Sequence, residues 1–175
     1  MQVGFKFKKV FINLFATLLC FAHFNAYAQP ITGAFGLKLG EYVPDWPEGD
    51  VRKAEITDFK DDFFDSVRFY VLPHSKRIYR IQGIKIVKTL CGSEEERNAL
   101  IDTLREKYGK YEKEVKEFED FKFKAEYKDS AIYVFCGAEG HDFTLYVSYL
   151  DWSLVRLEDK ERKMIEKEKI DSSKL

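Results

Sequence analysis

Cys91 and Cys136 constrain this chain more than any other pair of residues. Joined, they close a loop of about 45 residues, for which the chain-entropy estimate is about 4 kcal/mol. That is a large part of a typical domain stability of about 5–15 kcal/mol. Their spacing fits neither a CxxC redox motif nor a zinc site. In an oxidising compartment such a pair normally forms a structural disulfide; in a reducing one it stays as two inert thiols. The compartment therefore decides the reading.

The start of the chain bears on that choice. Lys6, Lys8 and Lys9 form a positive segment, Val10 to Ala22 is almost unbroken apolar sequence, and Ala26-Tyr27-Ala28 supplies a small-x-small cleavage pattern. Residues 1–28 thus read as a secretory signal peptide cut after Ala28. The expected mature protein begins at Gln29 and is periplasmic or secreted. The apolar run falls short of the about 20 residues needed to span a bilayer. No second such run follows, so no transmembrane segment is expected after cleavage. Cys20 leaves with the leader, and bulky Leu19 before it disfavours lipid attachment. Ser173-Lys174-Leu175 matches a peroxisomal address, which conflicts with secretion.

Without the leader about 147 residues remain, enough for one domain with its own core. The leader's only charges are three lysines, so of 29 basic and 30 acidic residues the mature chain keeps 26 and 30, a net −4. A mildly acidic domain without a basic stripe argues against nucleic acid as a partner.

Local signals give the element order. Ile31–Gly40 carries glycine at 33, 36 and 40 between apolar residues; no helix start follows, so it reads as a first strand or hairpin rather than a phosphate loop. Pro44–Asp50 is a turn-rich loop. Val67–Leu72 and Ile78–Val87 read as paired strands turning at Pro73–Lys76. The apolar parity switches from Tyr79 and Ile81 to Ile84 and Ile86, which predicts a bulge at Gly83. Ser93-Glu94-Glu95-Glu96 is a capping box. Leu100, Ile101, Leu104 and Tyr108 form the stripe of the helix it opens, and Gly109 is expected to close that helix in the left-handed region. Lys110–Asp120 reads as a linker.

Phe121, Phe123, Ala125 and Tyr127 alternate as a strand buried on one face does. Ile132, Val134 and Cys136, then Phe143, Leu145, Val147 and Tyr149, mark two more strands with these residues inward. A C-terminal helix starts near Asp151. From Glu158 its charge run predicts a solvated, fraying end.

The expected fold is α+β: an antiparallel sheet of about five or six strands, one central helix packed on it, a C-terminal helix and one disulfide. Its divisions are residues 1–28, a single domain over 29–157, and a charged helix or tail over 158–175.

The stretch Gly33-Ala-Phe35-Gly36-Leu37-Lys-Leu39-Gly40, the two cysteines, Lys107-Tyr108-Gly109 and Ile170-Asp171-Ser172-Ser173 together resemble a group of small secreted bacterial proteins of unassigned function. The resemblance spans nearly the whole mature chain. It implies compartment and fold, and no activity.

Catalytic chemistry finds little footing. His74 and His141 each fall in a predicted turn, and a metal or acid–base site needs several such groups to converge. His141-Asp142 could form half of a relay, with Ser148 or Ser153 as nucleophile, yet no spacing selects them. No catalytic residue, metal site or cofactor is assigned.

Tyr42, Trp46, Phe63 and Phe64 crowd predicted loops and are candidate binding anchors; the competing reading makes them core that closes the sheet. Asp58–Asp65 mixes aromatic and acidic groups and would suit a basic protein. The expected function is a small, non-enzymatic periplasmic or secreted protein that binds another envelope or secreted protein, or a ligand. The alternative is an inhibitor or immunity-type protein that neutralises an extracytoplasmic toxin or hydrolase.

Overall fold

The computed structural model describes residues 30–47, 53–57, 61–116 and 121–172. The leader and its cleavage site lie outside them. Ten elements follow in order: β1 (Gly33–Ala34), β2 (Leu37–Lys38), β3 (Lys53–Ile56), β4 (Ser66–Val71), β5 (Ile78–Val87), α1 (Glu94–Tyr108), β6 (Phe121–Tyr127), β7 (Ser130–Glu139), β8 (Asp142–Asp151) and α2 (Trp152–Ser172). The α+β class, the central and C-terminal helices and the disulfide all stand as the sequence indicates.

The main sheet is antiparallel with order β3-β4-β5-β8-β7-β6. Two three-stranded meanders, β3–β5 and β6–β8, are joined by a ladder running from Arg80↔Leu150 to Val87↔Phe143. α1 and the 3₁₀ turn Gly109–Tyr111 lie between them in sequence.

Alternation sorts the strands into two faces. The inner face carries Val67, Ile81, Phe123, Ala125, Ile132, Val134, Leu145 and Val147 in one apolar cluster with Leu100, Ile101, Leu104 and Tyr108 of α1. At about 25 cal/mol per Å² of apolar surface, such a cluster is the main favourable term in folding. The outer face carries a polar rung across all six strands: Glu55, Arg68, Gln82, Ser148, Tyr133 and Lys124. The start of α2 packs there, with Trp152 and Val155 against Ala131, Tyr133 and Leu150.

The β1–β2 hairpin turns through Phe35 and Gly36, both at positive φ, as two-residue hairpin loops commonly require. A left-handed phenylalanine is strained. Packing holds it there, because its ring meets Phe64 edge-on at 5.1 Å and Tyr149 at 5.9 Å.

Several local expectations need correction. The bulge sits at Tyr79 and not at Gly83: Tyr70 pairs with Arg80 and Val71 with Ile78, leaving Tyr79 as the extra residue. Gly83 keeps regular register with Val67 and Val147. Its bare Cα instead admits two rings, since a Cβ there would lie 2.7 Å from Phe35 and 2.8 Å from Phe64. Ile84 and Ile86 therefore point to the outer face.

Gly109 is right-handed (φ −55°, ψ −30°) and continues into the 3₁₀ turn. A second bulge between Phe121 and Phe123 breaks the β6 alternation and sends Phe121 to the outer face, against Tyr133 and Phe135. Phe143, expected inward, is 39% exposed. The charged helix is not wholly solvated either: Glu158 and Glu161 are buried.

Candidate functional site

The disulfide joins the turn before α1 to β7, with the two Cα atoms 5.0 Å apart. Cys91 and Gly92 are both left-handed, at φ 73° and 69°, and turn the chain from β5 toward Ser93. There the capping box forms in full: Glu96 N–H donates to Ser93 Oγ at 3.1 Å, and Ser93 N–H donates to Glu96 Oε2 at 3.0 Å. These bonds to the serine hold the Glu96 carboxyl below its ordinary pKa. The disulfide thus fixes where α1 begins.

Beside this turn, at the end of the sheet where β5 stops and β8 starts, lies an open cleft of about 640 Å³. Asp65, Ile86, Val87, Lys88, His141, Asp142 and Phe143 line it. Register explains the gathering: Ile86 pairs with Thr144 and Val87 with Phe143. Asp65, just before β4, accepts the Ile86 N–H at 2.7 Å and lies 3.7 Å from Lys85 Nζ.

Ile86 is 54% exposed and Phe143 39%, and Leu90 in the adjoining turn is 60% exposed. Two large apolar side chains thus face water in the lining of one cleft, and a third does so in the adjoining turn. A strict in–out alternation would have placed only some of them there. Two come to solvent because each strand ends at this rim, where the next element no longer covers it. Sequence reasoning marked His141 and Asp142 but missed Ile86 and Phe143, whose β-strand pattern looks the same whether a position is covered or not, and Leu90 in the turn after β5.

Of the four proposed aromatic anchors, Tyr42 is 58% exposed and bridges to Arg77 through the backbone. Trp46 is 6% exposed and packs on Phe69 at 5.6 Å. Phe63 and Phe64 are half-buried and touch edge-on at 4.9 Å; Phe64 also reaches Phe35. The structure does not bring these four together on one exposed surface.

The titratable groups named from sequence are also dispersed. His74 lies in the β4–β5 turn and His141 in the β7–β8 turn, at opposite ends of the β5–β8 ladder. At about 3.3 Å per residue this is roughly 20 Å or more. Ser148 is buried in the outer-face rung, its hydroxyl without a hydrogen-bond partner among the described residues. Ser153 Oγ donates to Asp151 Oδ1 at 2.6 Å. Asp151 in turn accepts the Ser153 and Leu154 N–H groups at the start of α2, a helix-capping role. Among the described residues no three histidine, cysteine or carboxylate groups gather to hold a metal.

A second open recess, of about 500 Å³, is lined by Arg105, Glu112, Lys113, Glu114 and Lys122 among others. Two of these residues form an ion pair, Arg105 to Glu112 at 3.0 Å. That pair fastens the residue after the 3₁₀ turn to α1, which accounts for it structurally.

No helix among the described residues is long and apolar enough to cross a membrane. Compared with known proteins, the chain matches no protein-family model, no curated protein and no solved structure.

Proposed function

We propose that this is a small, non-enzymatic periplasmic or secreted protein that binds another protein at the disulfide end of its sheet. One observation carries the reading: Ile86 and Phe143 stand exposed in the lining of one cleft, and Leu90 stands exposed in the turn before Cys91. Exposed apolar side chains scattered singly are ordinary; two that line one cleft, with a third in the turn beside it in sequence, cost solvation and suit a contact surface. The disulfide and the capping box hold that rim rigid, which lowers the ordering cost of association. The separation of His74 from His141 supports binding over catalysis, because it leaves each without the other. The leader pattern supports the compartment.

The test is a photo-crosslinking residue placed at Leu90 or Phe143 in the oxidised protein, produced in its own cell, with Lys163 on α2 as the control position. A protein adduct at both rim positions and none at Lys163 is the expected result. Adducts absent from the rim, or equal at Lys163, would remove the reading.

A further inference from the structure

Five aromatic rings form a chain on the inner face of the sheet, each meeting the next edge-on. Phe63 meets Phe64 at 4.9 Å, Phe64 meets Phe35 at 5.1 Å, Phe35 meets Tyr149 at 5.9 Å, and Tyr149 meets Tyr108 at 6.5 Å. Edge-to-face contact at such separations is a favoured geometry for aromatic pairs.

Four of the five rings belong to the body of the domain. Asp61 Oδ1 accepts the Phe63 and Phe64 N–H groups at 2.8 and 2.9 Å, which fixes the turn carrying both rings. Tyr149 stands in β8 between Ile81 of β5 and Ile132 of β7, and Tyr108 closes α1. The middle ring comes from elsewhere. β1 and β2 pair with each other and not with the six-stranded sheet. The chain meets that sheet just after them, where Gly40 N–H donates to the Ile78 carbonyl at 2.7 Å and Ile78 N–H donates to the Glu41 carbonyl at 2.9 Å.

Phe35 thus reaches the ring chain from the tip of a separate hairpin, in a left-handed conformation (φ 57°) that a phenylalanine adopts under strain. Left-handed glycines follow it at 36 and 40. Its ring is half-buried and lies against the bare Cα of Gly83, where a Cβ would come within 2.7 Å of it. Without that ring, a slot the size of a phenyl group would remain, walled by Phe64 and Tyr149 and floored by the Gly83 backbone.

We propose that this slot is a ligand site with a built-in occupant: an uncharged ligand that ends in a phenyl-sized ring enters between Phe64 and Tyr149 and displaces Phe35. The walls set the class, since two rings and a glycine backbone reward an aromatic group and offer no charge. Ala34, Leu37 and Leu39 keep the rest of the hairpin packed on the core, so opening the slot needs only the tip to move. Release of the strained Phe35 backbone offsets part of the contact its ring gives up. The proposal goes beyond the binding role at the disulfide end and does not depend on it.

The probe is toluene, the phenylalanine side chain as a free molecule, added to the oxidised full-length protein and followed by NMR. Nuclear Overhauser contacts from toluene to the Phe64 and Tyr149 rings should appear as the contact between Phe35 and Tyr149 disappears. No binding up to the solubility of toluene, or binding that leaves the Phe35–Tyr149 contact in place, would overturn the proposal. Phe35→Ala empties the slot and should bind toluene at least about tenfold more tightly than the parent, because no closed state competes. Equal affinity would show that Phe35 does not occupy the site, and would overturn it too. Methylcyclohexane, of similar size but not aromatic, should bind about twofold or more weakly; equal binding would remove the aromatic class. If Phe35→Ala does not fold, the contacts seen in the parent protein decide.

Discussion

Glu161 of α2 accepts the backbone N–H of His74 at 2.9 Å, and of Ser75 at 3.3 Å, across more than 80 residues of sequence. One buried carboxylate thus holds the C-terminal helix on the β4–β5 turn. Beside it Glu158 pairs with Arg162, which raises the arginine's pKa further, and contributes to the upward shift of Tyr79 after burial.

Replacing Glu161 by alanine should therefore loosen α2 and lower global stability by about 1–3 kcal/mol, because two backbone donors lose their acceptor in a buried place. Glu161→Gln keeps one acceptor oxygen and should recover part of the loss. Urea unfolding of the three proteins measures it; equal midpoints would show that the bond contributes nothing.

The disulfide makes a second quantity measurable. Cys91→Ser with Cys136→Ser should lower stability by about 2–4 kcal/mol, read as a lower thermal midpoint than the oxidised parent. An unchanged midpoint would mean that the capping box and the packing of Leu100, Ile101, Leu104 and Tyr108 fix α1 without it.

Gly83 gives a packing test. Gly83→Ala pushes a methyl into the rings of Phe35 and Phe64, a clash of the kind that costs about 1–3 kcal/mol. Adding Phe64→Leu should return part of that loss. If Gly83→Ala is neutral, the two rings move freely and the left-handed turn at Phe35 has another support.

Alkaline pH should weaken the fold. Burial, with Tyr108 nearby, pushes the Tyr149 phenol well above its ordinary value, and burial raises Tyr79 as well. A phenol that stays protonated in the folded state but ionises in the unfolded chain contributes stability that is intact below about pH 10 and declines above it. Denaturation midpoints taken from pH 8 to 11 should fall beyond that point, and Tyr149→Phe should flatten the fall.

The leader reading has its own measurement. Intact-mass and N-terminal analysis of protein recovered from the cell envelope or medium should give a chain starting at Gln29. A chain that retains Met1, or is found only in the cytoplasm, would remove the compartment and with it the setting proposed for binding.

Where the sequence was legible, the cause was local. Ser93 with Glu96, the stripe from Leu100 to Tyr108, and the alternation of Ile132, Val134 and Cys136 each depend on near neighbours, and each is realised. What stayed hidden was set at a distance. The bulge in β5 falls at Tyr79 because of how the β4 partner strand is registered at Tyr70 and Val71, while Ile84 and Ile86 keep regular alternation and belong to the outer face. Glycine at 83 answers to rings 48 and 19 positions away rather than to its own turn preference. Glu161 looks like one more charge in a solvated run until the β4–β5 turn is seen beneath it. The candidate site was half visible: His141 and Asp142 stood out by chemical type, whereas exposure of Ile86, Leu90 and Phe143 follows only from where the strands stop.

The covalent link between Cys91 and Cys136 also changes what cutting the chain would mean. A protease that severs any one peptide bond between residues 92 and 129 leaves both products attached, one holding β3 to β5 and the other β7 and β8. Those products still share the β5–β8 ladder as well as the sulfur bridge. Outside a reducing environment, a single nick in that interval would leave one particle of unchanged mass but for a water, with its rim intact; the two pieces would part only when denaturant and a thiol act together.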